Sequence, residues 1–152
     1  MADNRLAIDW GKARIGVAAA RSGTTFAFPV ETVTADKGSL DRLVELAEEY
    51  EADVIYIGFP LTLDGRRSHA AQWVLDRTRL LAARIGAEKL RLVDERMSTA
   101  SASRSLGAAG RTQKASRAVI DQAAAVEILQ HALDLERATG GLAGHSLNLE
   151  EE

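Results

Sequence analysis

Cysteine is absent from this 152-residue chain. That excludes disulfides and thiolate metal sites, leaving oxygen atoms and three histidines as the available metal ligands. Any metal held by such a set is a hard cation. Long apolar runs are missing too: none approaches the roughly 18 residues a membrane span needs, and the N-terminus has no basic segment followed by an apolar one. The chain therefore reads as cytoplasmic, with no membrane partner. It also has no internal repeat and no interior linker. At this length one domain can bury about 68–70% of its unfolded surface.

A strong net charge is absent as well: 19 basic and 22 acidic residues leave a value of only -3. That small value conceals an uneven distribution. Glu150, Glu151 and Glu152 close a Gly-containing segment, and residues 139–152 read as a disordered acidic tail after a domain spanning 1–138. Without those three glutamates the body carries 19 residues of each sign. Within it, the stretch from Asp94 to Ala118 holds Arg96, Arg104, Arg111, Lys114 and Arg117 against Asp94 and Glu95 alone, a local excess of +3. Such a cluster suits a phosphate backbone, although basic clusters are more often plain solvated surface.

What is present is a clear order of periodicities. Arg5 to Asp9 and Ile15 to Ala20 are apolar runs around a turn containing Gly11, which reads as a hairpin. Phe26 to Thr34 is a third strand, in which Pro29 marks an edge or a bulge. Leu40, Leu43, Val44, Leu46 and Ala47 then recur at helical spacing after the candidate cap Ser39. Asp53 to Gly58 is a continuous apolar strand of the buried kind. A helix is expected from about Ser68 to Ile85, a strand over Lys89 to Asp94, a Ser/Ala-rich helix from near Ser98, and a last helix from about Val119 to Arg137. Three antiparallel strands followed by strands alternating with helices predict an α/β fold: a five-stranded mixed sheet with helices on both faces.

Ligands in such sheets sit outside the carboxyl ends of strands. Asp9 ends the first strand, Glu95 follows the fifth, and Asp121 stands near the expected start of the last helix. If the first, fourth and fifth strands are neighbours, Asp9 and Glu95 share one sheet edge and Asp121 can join them. Carboxylates gathered in this way repel one another unless a cation holds them, and Mg²⁺ or Mn²⁺ suits oxygen ligands. Two such ions can clamp the attacking and leaving oxygens of a phosphodiester. Each residue also has a plainer role. Asp9 can accept amide bonds from its own turn, Glu95 can pair with Arg91 or Arg96, and Asp121 can favour a helix N-terminus. His69, His131 and His145 share no metal-binding spacing, and Trp10 and Trp73 read as core or pocket wall.

LAIDWGKARIGVA, VIYIGFPLTLDG, LVDERMSTASA and KASRAVIDQAAAVEILQ resemble, in order and spacing, the four signature blocks of the YqgF (RuvX) family. These ribonuclease H-like proteins are described as pre-16S rRNA nucleases and as Holliday junction resolvase-like proteins. The resemblance, covering Leu6 to about Leu133, implies a five-stranded ribonuclease H-like sheet and a divalent-metal nuclease. It places catalytic and metal-binding roles on Asp9, Glu95 and Asp121, and two ions of Mg²⁺ or Mn²⁺ are implied. Gly58, Pro60, Asp64 and Gly65 match the loop after the fourth strand. Arg96 and Lys114 match basic positions of the family, and with Lys12, Arg14, Arg111 and Arg117 they are the expected substrate contacts. The implied partners are precursor rRNA in ribosome biogenesis, ribosomal particles, or branched DNA, the last requiring a homodimer for symmetric cutting.

This chain also departs from the family pattern. Lys12 is displaced by one place, Ala20 and Arg21 stand where Ser-Asp is frequent, and Thr62 replaces a common asparagine. Two other classes compete with a nuclease. One is an ATP-binding phosphotransferase of the actin and sugar-kinase type, opposed by the presence of a single domain. The other is a non-catalytic RNA-binding maturation factor, opposed by the three retained acids.

Overall fold

The structure is a computed structural model that describes residues 4–60, 69–94 and 113–147, with backbone alone for 113–121. Six strands form one sheet: β1 Arg5–Asp9, β2 Arg14–Ala20, β3 Phe28–Thr34, β4 Val54–Phe59, β5 Leu90–Asp94 and β6 His145–Ser146. Their order across the sheet is β3-β2-β1-β4-β5-β6. The first three strands pair antiparallel, β4 and β5 run parallel to β1, and β6 returns antiparallel. The described helices are α1 Ser39–Glu49, α2 His69–Ile85 and α3 Gln113–Thr139. The expected mixed α/β sheet with helices on both faces is therefore present. The helix expected from near Ser98 lies outside the described residues.

Strand alternation divides the core into two layers. On one face Leu6, Ile8, Ile15, Val17, Ile55, Ile57 and Leu92 pack with Leu43 and Leu46 of α1 and Val74, Leu75 and Leu81 of α2. On the other, Ala7, Ala18, Ala20, Tyr56 and Val93 meet Ala125, Ile128, Leu129, Ala132 and Leu133 of α3. Small side chains dominate the second layer on both the sheet and the helix. They let the 27-residue α3 lie close across the strands.

Pro29 occupies both of its expected settings. β3 is an edge strand, and its register against β2 shifts between Val17 and Ala18, where Pro29 faces Ala18. An edge strand and a register shift are the settings in a sheet that tolerate a residue without an amide hydrogen.

Three sequence expectations need correction. The sheet has six strands, not five, because α3 ends at Thr139 and the following segment folds back along β5. Within the stretch read as a disordered tail, Ala143 and Leu147 are buried, and Arg91 donates to the carbonyls of Ala143 (2.6 Å) and Gly144 (2.9 Å). Residues 148–152 lie outside the described residues. Second, the N-cap of α1 is Gly38, not Ser39; the Asp36 side chain accepts the Gly38 N–H at 2.9 Å. Third, α3 begins at Gln113, about six residues before the expected start at Val119.

Candidate active site

Asp9 is the last residue of β1, and only 5% of its surface is exposed. The register on each side defines what lies beside it. Ile8 pairs with Ile57, so Gly58 of β4 follows at the level of Asp9; Gly58 in turn pairs with Val93, and Phe59 with Asp94. The carboxyl ends of β1, β4 and β5 therefore coincide at one sheet edge, the arrangement on which the grouping of Asp9 with Glu95 depended. Toward the other side, Asp9 pairs with Gly16 and Gly16 with Thr32. Asp9 shares the parity of Ala7, which places it on the α3 face of the sheet.

Polar contacts along α3 fix that helix lengthwise. At the Asp9 edge, Gln122 Nε2 donates to Thr32 Oγ1 at 2.9 Å, on the same cross-strand row as Asp9 and Gly16. Midway, Gln130 accepts the Ala27 N–H (3.0 Å) and donates to the Thr25 carbonyl (2.8 Å). At the far edge Glu136 accepts from Arg5 Nε (3.0 Å) and Nη2 (3.2 Å) and from the Tyr56 hydroxyl. Burial, and then the hydrogen bond to Glu136, pushes the Tyr56 phenol above its ordinary range.

Asp121 is the residue before Gln122, so its backbone sits beside this first anchor. It also precedes the buried residues Ala125 and Ile128 by one and two helical turns. The longer helix removes one plain explanation of Asp121. It stands eight residues after Gln113, more than two turns inside the helix, where a terminal dipole no longer acts.

The other predicted positions divide clearly. Lys12 is exposed in the β1–β2 turn, and Arg14 opens β2 with the parity of Gly16, on the α3 side. Gly58 is buried in β4 and Pro60 follows it. Lys114 and Arg117 belong to α3, but only their backbone is described. Glu95, Arg96, Arg111, Thr62, Asp64 and Gly65 lie outside the described residues. Among the described residues no group of three or more acidic or histidine side chains gathers into a metal cluster. None of the described helices is long and apolar enough to cross a membrane.

Gly11 shapes the turn that carries Asp9 into β2. A Cβ there would lie 2.2 Å from the Arg14 carbonyl oxygen, a backbone atom that cannot yield. Sequence reasoning passed over Gln122, because a lone glutamine in a helix carries no signal until the sheet register gives it a partner.

Comparison with known proteins places this architecture. Residues 3–135 match the RuvX family, described as Holliday junction resolvase. A protein of Cutibacterium acnes named "Putative pre-16S rRNA nuclease" is 51% identical over 144 residues, covering 90% of this chain and 89% of its own. One of the same name from a Nocardioides species is 50% identical over 145 residues, covering 92% and 93%. Among solved structures, Thermus thermophilus RuvC in complex with a Holliday junction substrate superposes with a TM-score of 0.55 at 16% identity. That match covers 90% of this chain and 97% of the other, and it is a likeness of fold alone. With a family match over residues 3–135 and relatives at half identity, the chain belongs to the RuvX family of nucleases with a ribonuclease H-like fold.

Proposed function

We propose that this nuclease hydrolyses phosphodiester bonds of precursor 16S rRNA at the sheet edge marked by Asp9, using Asp9, Glu95 and Asp121 as one carboxylate set. The observation that carries the reading is the shared level of three features. The ends of β1, β4 and β5 coincide, and the Gln122–Thr32 bond ties the helix turn containing Asp121 to the row of Asp9. Glu95 follows Asp94, the last residue of β5, directly in the sequence. The names of the relatives support an rRNA substrate.

The donor chemistry fits a hard divalent cation. Every proposed ligand is a carboxylate oxygen, the chain has no thiolate, and Asp9 ends a strand paired with β2 along its whole length and with β4 through Ile8. Asp9, Glu95 and Asp121 would hold two ions of Mg²⁺ or Mn²⁺. When bound, the cation would supply a nucleophilic water and offset charge on the leaving oxygen. The protein's own part is positioning. Lys12 and Arg14 place positive charge on the hairpin beside Asp9. Arg96, Arg111, Lys114 and Arg117 form the basic stretch that would track the phosphate backbone.

The test is cleavage of a precursor 16S rRNA fragment and a synthetic four-way DNA junction, side by side, with Mg²⁺ or Mn²⁺. Product ends and oligomeric state are read together. Trimming of the rRNA supports the proposal. Symmetric junction cutting by a dimer, with rRNA left intact, overturns the rRNA assignment in favour of resolvase activity, and no cleavage of either overturns the nuclease site.

A further inference from the structure

On the other face of β1, immediately beside Asp9, a cavity of about 270 Å³ opens between the β1–β2 turn, the start of α1 and the first turns of α2. Its lining includes Trp10, Lys12, Asp36, Ser39, Trp73 and Arg77. Trp10 forms a fixed wall: it is 9% exposed, and its indole N–H donates to Thr78 Oγ1 at 3.1 Å. That hydroxyl is held in turn by the Val74 carbonyl at 2.8 Å. Trp73 is half-buried, and the Arg77 guanidinium lies 5.6 Å from its ring centroid. Among the described residues neither Lys12 nor Arg77 has a carboxylate partner. Asp36, the one acid in the lining, already accepts the Gly38 N–H.

These properties define a ligand. The volume is just below the roughly 300–1,000 Å³ of clefts that enclose drug-sized molecules, which suits a single planar ring system. Two aromatic walls favour a flat heterocycle, two cations without a carboxylate partner among the described residues favour an anion, and Asp36 can accept from an exocyclic amine. A ring, an amine acceptor and a phosphate site together describe one nucleotide. We propose that this cavity binds an unpaired nucleotide of the substrate strand, its base against Trp73 and its phosphate between Lys12 and Arg77. The strand then crosses the hairpin at Gly11 to reach Asp9. A duplex keeps its bases stacked and inaccessible, so the site selects single-stranded or opened substrate. This inference rests on the nuclease reading above and adds a substrate preference to it.

The chain has two tryptophans and both line the cavity, so their emission reports its occupancy directly. The experiment titrates a fluorescein-labelled single-stranded 12-nucleotide RNA into full-length protein in EDTA, reading tryptophan emission and fluorescein anisotropy, with a duplex of the same sequence and free AMP as further arms. Expected are saturable quenching by the single strand and weaker binding of the duplex. Affinity should fall about tenfold in Trp73→Ala, within the range typical of base stacking, and recover in Trp73→Phe. Thermal melting confirms that each variant is folded. Anisotropy showing binding without quenching, or unchanged affinity in Trp73→Ala, overturns the cavity assignment. In that case metal-dependent cleavage by the wild type shows that the nuclease reading survives. Quenching by AMP as strong as that by the oligonucleotide overturns the strand assignment in favour of a free nucleotide. Absence of any binding overturns the cavity, and absence of cleavage as well removes the nuclease reading.

Discussion

Replacing Glu136 by alanine should lower stability by about 3 kcal/mol while sparing catalysis. Glu136 closes a three-way contact: both Arg5 bonds, at 3.0 and 3.2 Å, and the Tyr56 hydroxyl converge on its carboxylate. The Tyr56 oxygen also accepts the Ala143 N–H at 3.1 Å, so β1, β4, α3 and the returning C-terminal segment meet there. The Arg5 side chain is 9% exposed and that of Glu136 19%. Removing one partner of a buried ion pair costs about 3–5 kcal/mol, and the residual exposure of Glu136 argues for the lower end. For a domain of this size, about 3 kcal/mol corresponds to a fall in Tm of about 6–12 °C. Glu136→Gln, which keeps an acceptor for Tyr56, should lose roughly half as much. Gln122 and Glu136 are separated by about 21 Å along α3, at 1.5 Å per residue, so cleavage at 25 °C should stay within about twofold of wild type. Calorimetry of thermal unfolding together with the cleavage assay makes the test. A Tm change below about 2 °C, or lost activity at unchanged Tm, would refute the reasoning.

The same cluster predicts a pH dependence. Tyr56 keeps its proton in the folded chain beyond the ordinary tyrosine range near 10, so its contribution is complete below about pH 10 and is lost as the pH rises further and the unfolded chain ionises. Urea midpoints between pH 9 and 11 should fall more steeply for wild type than for Tyr56→Phe, and parallel curves would contradict this. Gly11→Ala places a Cβ 2.2 Å from the Arg14 oxygen; the turn must open, at a cost of about 1–3 kcal/mol, with cleavage falling more than tenfold because Asp9 moves with it. Unchanged activity in that variant would detach the turn from the site. Gly144→Ala combines a φ of +67° with a Cβ 2.1 Å from the Leu92 oxygen. Faster hydrogen exchange along β5 should report the release of β6, and native exchange rates would show that the strand tolerates the change.

Much of this architecture was legible from periodicity, because most elements bury one face. The spacing of Leu43, Leu46, Val74, Leu75 and Leu81 and the continuous run VIYIGF were enough to place α1, α2 and β4. The start of α3 was missed because Gln113 to Ala118 is polar and basic, with no apolar period to distinguish it from a loop. β6 was missed for a different reason. His145 and Ser146 have no strand character of their own; pairing with β5, the Arg91 bonds to neighbouring carbonyls and the burial of Ala143 and Leu147 make the strand.

The site shows the same division. Asp9 announced itself as a carboxylate ending an apolar strand. The convergence of strand ends became a fact only with the parallel pairing of β1, β4 and β5, since sequence order alone does not determine which strands are neighbours. Gln122 and the pocket role shared by Trp10 and Trp73 depend on contacts between residues distant in the chain, and local pattern carries no trace of them.

The central claim is that Asp9, Glu95 and Asp121 act as one unit, and the most direct measurement is cleavage of the precursor rRNA fragment with Mg²⁺ by Asp9→Asn, Glu95→Gln, Asp121→Asn and the triple variant, each checked for its melting temperature. Residues that act together lose activity non-additively. Each single variant should therefore melt at or above the wild-type temperature and lose about as much cleavage as the triple. Wild-type rates in Asp9→Asn, or losses that simply multiply from one variant to the next, would contradict the shared site.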